Sequence, residues 1–354
     1  MRVAVVSLET THHHETDVTT RLRTVIELLR DGGHDVHVFC ARWWPDARVV
    51  VPDDGITYHG LVPDRDSSRS FLFKLPIALR RLEPDVVHVS AEPPRQVLAA
   101  SWGTALSRTP LVAEWPGSDG PSDPRDYPRA AKRADAVVTP SRLVRTWVRE
   151  HGADGDDVTN VADPIELERI REIEPADGTD IVYARRLDEG ANLESVLLAL
   201  AEVRDRDFTA TVVGDGPRRA AYEEMVRDLR IGDRVDFVGE ADRDERIGIY
   251  RGSHVFAQTA EYCPFPTELA WALACGCVGV VEYHVASSGH ELVEGRDRGF
   301  RTTSETELTD AIVSAGELER LDFDDSLAEF DRDTIRDRYV DLYENCRDRA
   351  SVFR

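Results

Sequence analysis

Short apolar runs alternate with helically spaced segments twice over in this chain, which restricts it to parallel β-sheets covered by helices. Arg2–Leu8 is an apolar strand, Asp17–Arg30 has helical spacing through Val18, Leu22, Val25, Ile26 and Leu29, and Asp35–Cys40 is a second strand after the Gly32–Gly33 stop. Val49–Leu61 reads as a strand or hairpin, Ser70–Leu82 as a helix and Asp85–Ser90 as a strand. A helix near Arg95–Ser107, strands Leu111–Glu114 and Ala136–Thr139, a helix ending at Arg133 and a helix over Ser141–His151 continue the pattern. The first half is therefore a doubly wound α/β domain.

A short strand in Asp154–Asp163 and a charged connection, Ile165–Asp180, lead to a second set. Its strands are Asp180–Ala184, Phe208–Val213 and Arg234–Val238, and its helices Asn192–Arg204, Arg218–Arg230 and Asp244–Arg251. Helices near Ser287–Glu294 and Glu305–Ala315 follow, and Asp331–Arg349 is a last amphipathic helix. The reading divides the chain at 1–165, 166–330 and 331–354. Ser253–Val281 organises the second set: a buried strand, a loop with Pro264 and Pro266, a helix from Thr267 to Cys275, a stop at Gly276 and another buried strand. Strand, loop and helix in series aim loop amides and a helix N-terminus at one spot beyond the sheet, where open α/β sheets bind ligands.

At 354 residues there is enough chain for two cores. The formal net charge is −23, and only Lys74 and Lys132 are lysines among 44 basic residues. Such a surface fits adaptation to high salt, or an ordinary acidic cytosolic protein, and it disfavours nucleic acid as a partner. No apolar run approaches membrane-spanning length, and the N-terminus enters a strand at once, so no leader and a cytoplasmic location are expected. Of five cysteines only Cys275 and Cys277 are close, without a second pair to complete a zinc set, so buried free thiols are expected.

Several stretches carry a family likeness: Phe265, Ala272–Gly276 with the strand after it, Val212–Pro217, Val238–Glu240, Arg185–Asn192 and, more loosely, Val161–Glu166. Together they resemble the retaining GT-B nucleotide-sugar glycosyltransferases of glycosyltransferase family 4. The resemblance implies two Rossmann-like doubly wound domains facing across a cleft, with the C-terminal helix crossing back to the first. It implies transfer of a sugar from a UDP- or GDP-linked donor to a glycan or polyprenyl-linked acceptor, without metal or other cofactor. Arg186 falls on the family's diphosphate-binding Arg, while Ala191 falls on its Lys, leaving Arg185 as the neighbouring cation. Asn192, the turn glycines Gly214 and Gly216, Thr267 and Glu261 complete the donor-site candidates.

The family's two glutamates fall on Cys263 and Trp271, and its loop glycines on Pro264 and Pro266, which removes two amide donors. Each lost charge-assisted bond forfeits about 1.5 to 3 kcal/mol. Glu268 is the candidate catalytic carboxylate, or else only a favourable charge at a helix N-terminus. Glu114, at a strand end, is a candidate acid/base or acceptor ligand, or a structural carboxylate. His12–His14 reads as acceptor-binding, as a solvated loop or as a metal site. The basic stretch Ser68–Leu82 reads as a peripheral contact with the inner membrane face, or as a helix whose apolar side packs on the sheet. Beside the transferase reading stands an inactive GT-B scaffold that kept the fold and lost the phosphate clamp. A phosphorylase on the same plan normally needs a cofactor-bearing lysine, and the second half has none.

Overall fold

Strands that are apolar at successive positions, not every second one, must be covered on both faces, and β1 (Arg2–Val6) is buried from Val3 onward. The computed structural model of the chain describes residues 1–105, 107–117 and 125–352. It separates into two units, Met1–Asp163 with Asp333–Arg354, and Pro164–Arg332.

In unit 1, β1 is joined by β2 (Asp35–Ala41), β3 (Val50–Asp53), β4 (Ile56–Val62), β5 (Val86–Ser90), β6 (Leu111–Glu114), β7 (Ala136–Thr139) and β8 (Val158–Asn160). The sheet order is β3-β4-β2-β1-β5-β6-β7-β8, parallel except for β3, which pairs antiparallel with β4. Helices α1 (Asp17–Asp31), α2 (Ser68–Leu82), α3 (Arg95–Thr104), α4 (Asp126–Ala131) and α5 (Arg142–Glu150) alternate with these strands. Helix α1 begins at a reciprocal cap between Thr16 and Thr19. Helix α2 buries Phe71, Leu75 and Leu79 and leaves Phe73 and Ile77 exposed, so its apolar residues serve two faces.

Unit 2 opens with α6 (Leu167–Glu172), inside the stretch read from sequence as a bare connection; Leu167 and Ile170 are buried and anchor it. Strands β9 (Thr179–Ala184), β10 (Ala210–Val213), β11 (Val235–Gly239) and β12 (Ser253–Gln258) follow, with helices α7 (Leu193–Glu202), α8 (Arg219–Asp228) and α9 (Arg243–Gly252) between them. Beyond the two-residue β13 (Tyr262–Cys263) come α10 (Thr267–Ala274), β14 (Val278–Glu282), β15 (Ala286–Ser287), α11 (His290–Val293), β16 (Gly299–Thr302) and α12 (Glu305–Gly316). The main sheet is β11-β10-β9-β12-β14-β16, with β13 and β15 paired separately. The last helix, α13 (Arg332–Val352), lies almost wholly in unit 1.

One buried side chain gathers unit 1. Arg21 on α1 donates from Nε to Glu114 at 2.7 Å, from Nη1 to Asp163 at 2.5 Å, and from Nη2 to the Val161 carbonyl and the Tyr339 hydroxyl. Glu114 also accepts from Tyr339 of α13 at 3.1 Å and lies 3.1 Å from His88 Nε2, whose Nδ1 meets Tyr343 of α13 at 2.8 Å. Burial pushes the Glu114 pKa up, but the Arg21 charge and hydrogen bonds from His88 and Arg21 outweigh it and hold the carboxyl below its usual range. A depressed carboxyl stabilises the fold above its unfolded pKa of about 4.3, and that stability is lost as pH falls through the folded value.

Removing the cation alone strands a buried carboxylate. Arg21→Met should lower the unfolding free energy at neutral pH by about 3–5 kcal/mol, and adding Glu114→Leu should restore part of the loss. Urea denaturation of the full chain measures both; a single-variant loss below about 1 kcal/mol would show that the pair contributes little.

Candidate functional site

Strand β9 is central in the sheet of unit 2. The chain runs from it to β10 and β11 on one side, then returns to β12 on the other and continues to β14 and β16. The loops after β9 and β12 therefore leave in opposite directions, and a crevice opens at the carboxyl ends of those two strands. Residues Arg185–Asn192 follow β9, and Thr259–Pro266 follow β12.

Two glycines fix the first loop. The Arg185 amide donates to Val213 O at 3.0 Å, Leu187 N to Asp215 O at 2.9 Å, and Arg218 N to Leu187 O at 2.9 Å. This seam presses the turn after β10 onto the backbone of 185–187. A Cβ on Gly214, at φ +125°, would lie 2.0 Å from Arg185 O, and one on Gly216 would lie 2.3 Å from Leu187 O. Gly214 and Gly216 thus act through close approach, holding the loop that carries Arg186. The Asp215 pKa lies below its usual range because the Gly216 amide bonds to its carboxylate, with Arg219 and Arg186 adding charge. Arg186 is exposed and makes no ion pair among the described residues.

The second loop is pinned on every side. Glu261 N donates to Gly190 O at 3.2 Å, Arg185 Nη2 to Tyr262 O at 3.0 Å, and Asn192 Nδ2 to Thr259 O at 2.9 Å. Tyr262 and Cys263 pair with Ala286 and Ser287, and Ser288 Oγ donates to Pro264 O at 2.7 Å. Arg185 is therefore a strut between loops. At position 191 there is no cation, and the buried Ala191 instead offers its carbonyl to the Tyr183 hydroxyl at 2.6 Å.

Two carboxylates expected at the chemistry are committed elsewhere. Glu268 Oε1 accepts from Arg246 at 2.6 Å and Arg243 at 3.4 Å, and its Oε2 accepts from Tyr250 at 2.6 Å, so the group faces α9. Trp271, one turn on, is buried under the Arg243 guanidinium, 4.6 Å from its ring. Both Glu268 oxygens are therefore engaged by α9, whose arginines are one helical turn apart. Glu114 likewise has both oxygens held in the buried network of unit 1, the arrangement of a structural carboxylate. Of the remaining candidates, Thr267 begins α10, Glu261 is exposed, and Asn192 bridges loops.

Sequence reasoning missed Glu282, the last residue of β14, and His284 just beyond it, both of which meet Asn192. The available signal was position: Glu282 is the first charged residue after a run of buried apolar ones, at a strand's carboxyl end. In unit 1 a groove between α1 and the β3–β4 hairpin is lined by His12, Arg23, Glu27, Asp53 and Tyr58, among others. The His12 ring stacks on Trp43 with centroids 4.0 Å apart. No group of three or more His, Cys, Asp or Glu among the described residues is placed to hold a metal. Ser118 and Asp119, a few residues after Glu114 in the sequence, lie outside the described residues.

Residues 18–169 match the profile of Glycosyltransferase Family 4, and residues 165–321 match that of Glycosyl transferases group 1. The apo form of the lipopolysaccharide outer core galactosyltransferase WaaB has the same fold, with TM-score 0.72 and 15% identity over 98% of this chain and 99% of that one. HepE of Anabaena, in complex with UDP, aligns with TM-score 0.70 and 15% identity over 98% and 100%. A 2-deoxystreptamine glucosyltransferase of Streptomyces kanamyceticus is 36% identical over 89 residues, which is 24% of this chain and 23% of that relative. Two-unit α/β architecture and profile matches over both units define a GT-B glycosyltransferase. Within that class the chain is family 4-like, its first half matching the family 4 profile.

Proposed function

We propose that the chain moves a hexosyl group from a UDP- or GDP-linked donor held by unit 2 to a glycan or polyprenyl-linked acceptor held by unit 1. Retention of configuration and independence of metal or other cofactor are carried over from the resemblance. The observation behind the donor assignment is Arg186, exposed and without an ion pair among the described residues, on a loop braced at the sheet's switch point. A leaving diphosphate needs fixed positive charge, and a guanidinium offers it two parallel donors. Amides at the start of α10, from Glu268 onward, add donors and a helix N-terminus. Arg185 and Asn192 hold the surrounding loops, Gly214 and Gly216 set their position, and Glu261 stands exposed beside them. HepE was crystallised with UDP, which favours a uridine donor among the two.

For the acceptor, the groove lined by His12, Asp53, Glu27 and Tyr58 offers ring faces and carboxylates, the chemistry that sugar hydroxyls take. Burial holds the His12 pKa down, with Asp53 pulling it up. Helices α2 and α3 add a membrane-facing feature. Neither carries an acidic residue, although acids are about one residue in five along the chain. Phe73 and Trp102 are 81% and 71% exposed there, beside Arg69, Lys74, Arg80 and Arg81. Aromatic side chains with cations around them suit an anionic lipid surface. No helix among the described residues is long and apolar enough to cross a membrane. With this basic, aromatic surface on α2 and α3, we place the protein in the cytoplasm, peripheral at the inner face. The acidic, lysine-poor composition supports a salt-adapted protein.

Prolines at 264 and 266 and the buried Cys263 favour one rival, an inactive scaffold on the same fold. Thermal shift in concentrated salt decides between them. UDP- or GDP-hexoses should raise the melting temperature of the native chain, and Arg186→Ala should abolish the rise; no rise with any nucleotide identifies the scaffold. Separately, the native chain should pellet with phosphatidylglycerol vesicles and not with phosphatidylcholine ones, and Phe73→Glu should release it. Absence of pelleting would assign a soluble glycan as acceptor.

A further inference from the structure

Glu282 closes β14, next to β12 in the sheet, at the carboxyl edge from which the diverging loops leave. Its Oε2 accepts from Asn192 Nδ2 at 2.9 Å and lies 3.3 Å from His284 Nε2. Asn192 is itself fixed. Its Nδ2 also donates to Thr259 O, its carbonyl accepts from Thr259 Oγ1 at 2.6 Å, and its Oδ1 accepts from Ser195. Its backbone sits at φ +50°, a left-handed conformation that asparagine tolerates better than most residues. One cluster thus ties together the loops after β9, β12 and β14.

Charge sets this carboxylate apart. Glu114, Asp126 and Glu268, with side chains 3%, 7% and 22% exposed, each lie within 2.7 Å of an arginine. Glu282, at 13%, has only His284 as a neighbouring basic group, and no Arg or Lys pairs with it among the described residues. A mostly buried carboxylate without a guanidinium partner is costly. It can accept as many as four hydrogen bonds, yet Oε1 receives none among the described residues. Glu282 is therefore held by one oxygen and open at the other, the arrangement of a pre-positioned acceptor. Glu261 lacks such anchoring, and Glu268 has no oxygen to spare.

We propose that Glu282, positioned by Asn192 and His284, accepts hydrogen bonds from hydroxyls of the hexose on the nucleotide donor. This rests on the reading of unit 2 as the donor site. Positions 263 and 271 supply no carboxylate here, and Glu282 takes over sugar recognition from the next strand.

Isothermal titration of the full chain with UDP, UDP-glucose and UDP-galactose, and with GDP and GDP-mannose, separates the two claims. Glu282→Gln should leave affinity for the free nucleoside diphosphate within about twofold, while affinity for its hexose conjugate falls about tenfold or more, as loss of a charge-assisted bond requires. Glu282→Asp, which draws the carboxylate back by one methylene, should show the same selective loss and decides the matter if the Gln variant does not fold. Arg186→Ala should weaken nucleotide and conjugate together. Equal losses for nucleotide and conjugate in both Glu282 variants, or no loss in either, overturn the assignment of Glu282 and leave the donor site standing. If the native chain binds neither nucleotides nor conjugates, the donor site itself is wrong, and Glu282 falls with it.

Discussion

Contact between the Gly214–Gly216 turn and the backbone of Arg185–Leu187 is the constraint on which the crevice of unit 2 depends. Two peptide segments lie so close that no Cβ fits at either glycine. That seam holds the loop after β9 open toward the crevice, and the loop after β12 is then fastened to it by Arg185 and Asn192. Prolines in the second loop remove amide donors, but the same prolines and the β13–β15 pairing leave little conformational freedom there. The loop is pinned by its contacts and its prolines.

Arginine serves where lysine would fail. Arg21 reaches Glu114, Asp163, Val161 O and the Tyr339 hydroxyl at once, which a single ammonium on a flexible stem does not do with fixed geometry. Arg246 and Arg243 share Glu268, and Arg219 meets both Asp215 and Glu223. A chain with 42 arginines and two lysines can neutralise buried carboxylates by planar, multi-donor contacts. The open oxygen of Glu282 stands out against that background.

Much of the fold was legible because central parallel strands announce themselves as unbroken apolar runs. Val3–Val6 and Val278–Val281 could be read without knowing their neighbours, and Val86–Val89 is interrupted only by His88. β16 could not: Gly299–Thr302 is short, half-buried and at a sheet edge, and carries no pattern. The strands β13 and β15 exist only because two loops meet, a tertiary event with no local signal. At the site, the loop carrying Arg186 followed from the strand–turn–helix order and family register. The fates of Glu268 and Glu114 depended instead on partners at distances in sequence of 18 to 225 residues, which spacing rules do not reach.

Hydrogen–deuterium exchange with and without nucleotide tests the central claim most directly, since it reports every backbone segment at once. Saturating UDP or GDP should slow exchange in peptides spanning 185–192 and 259–269, the loops at the carboxyl ends of β9 and β12. Protection confined to other segments, such as 203–209 at the opposite end of the same sheet, would contradict the account.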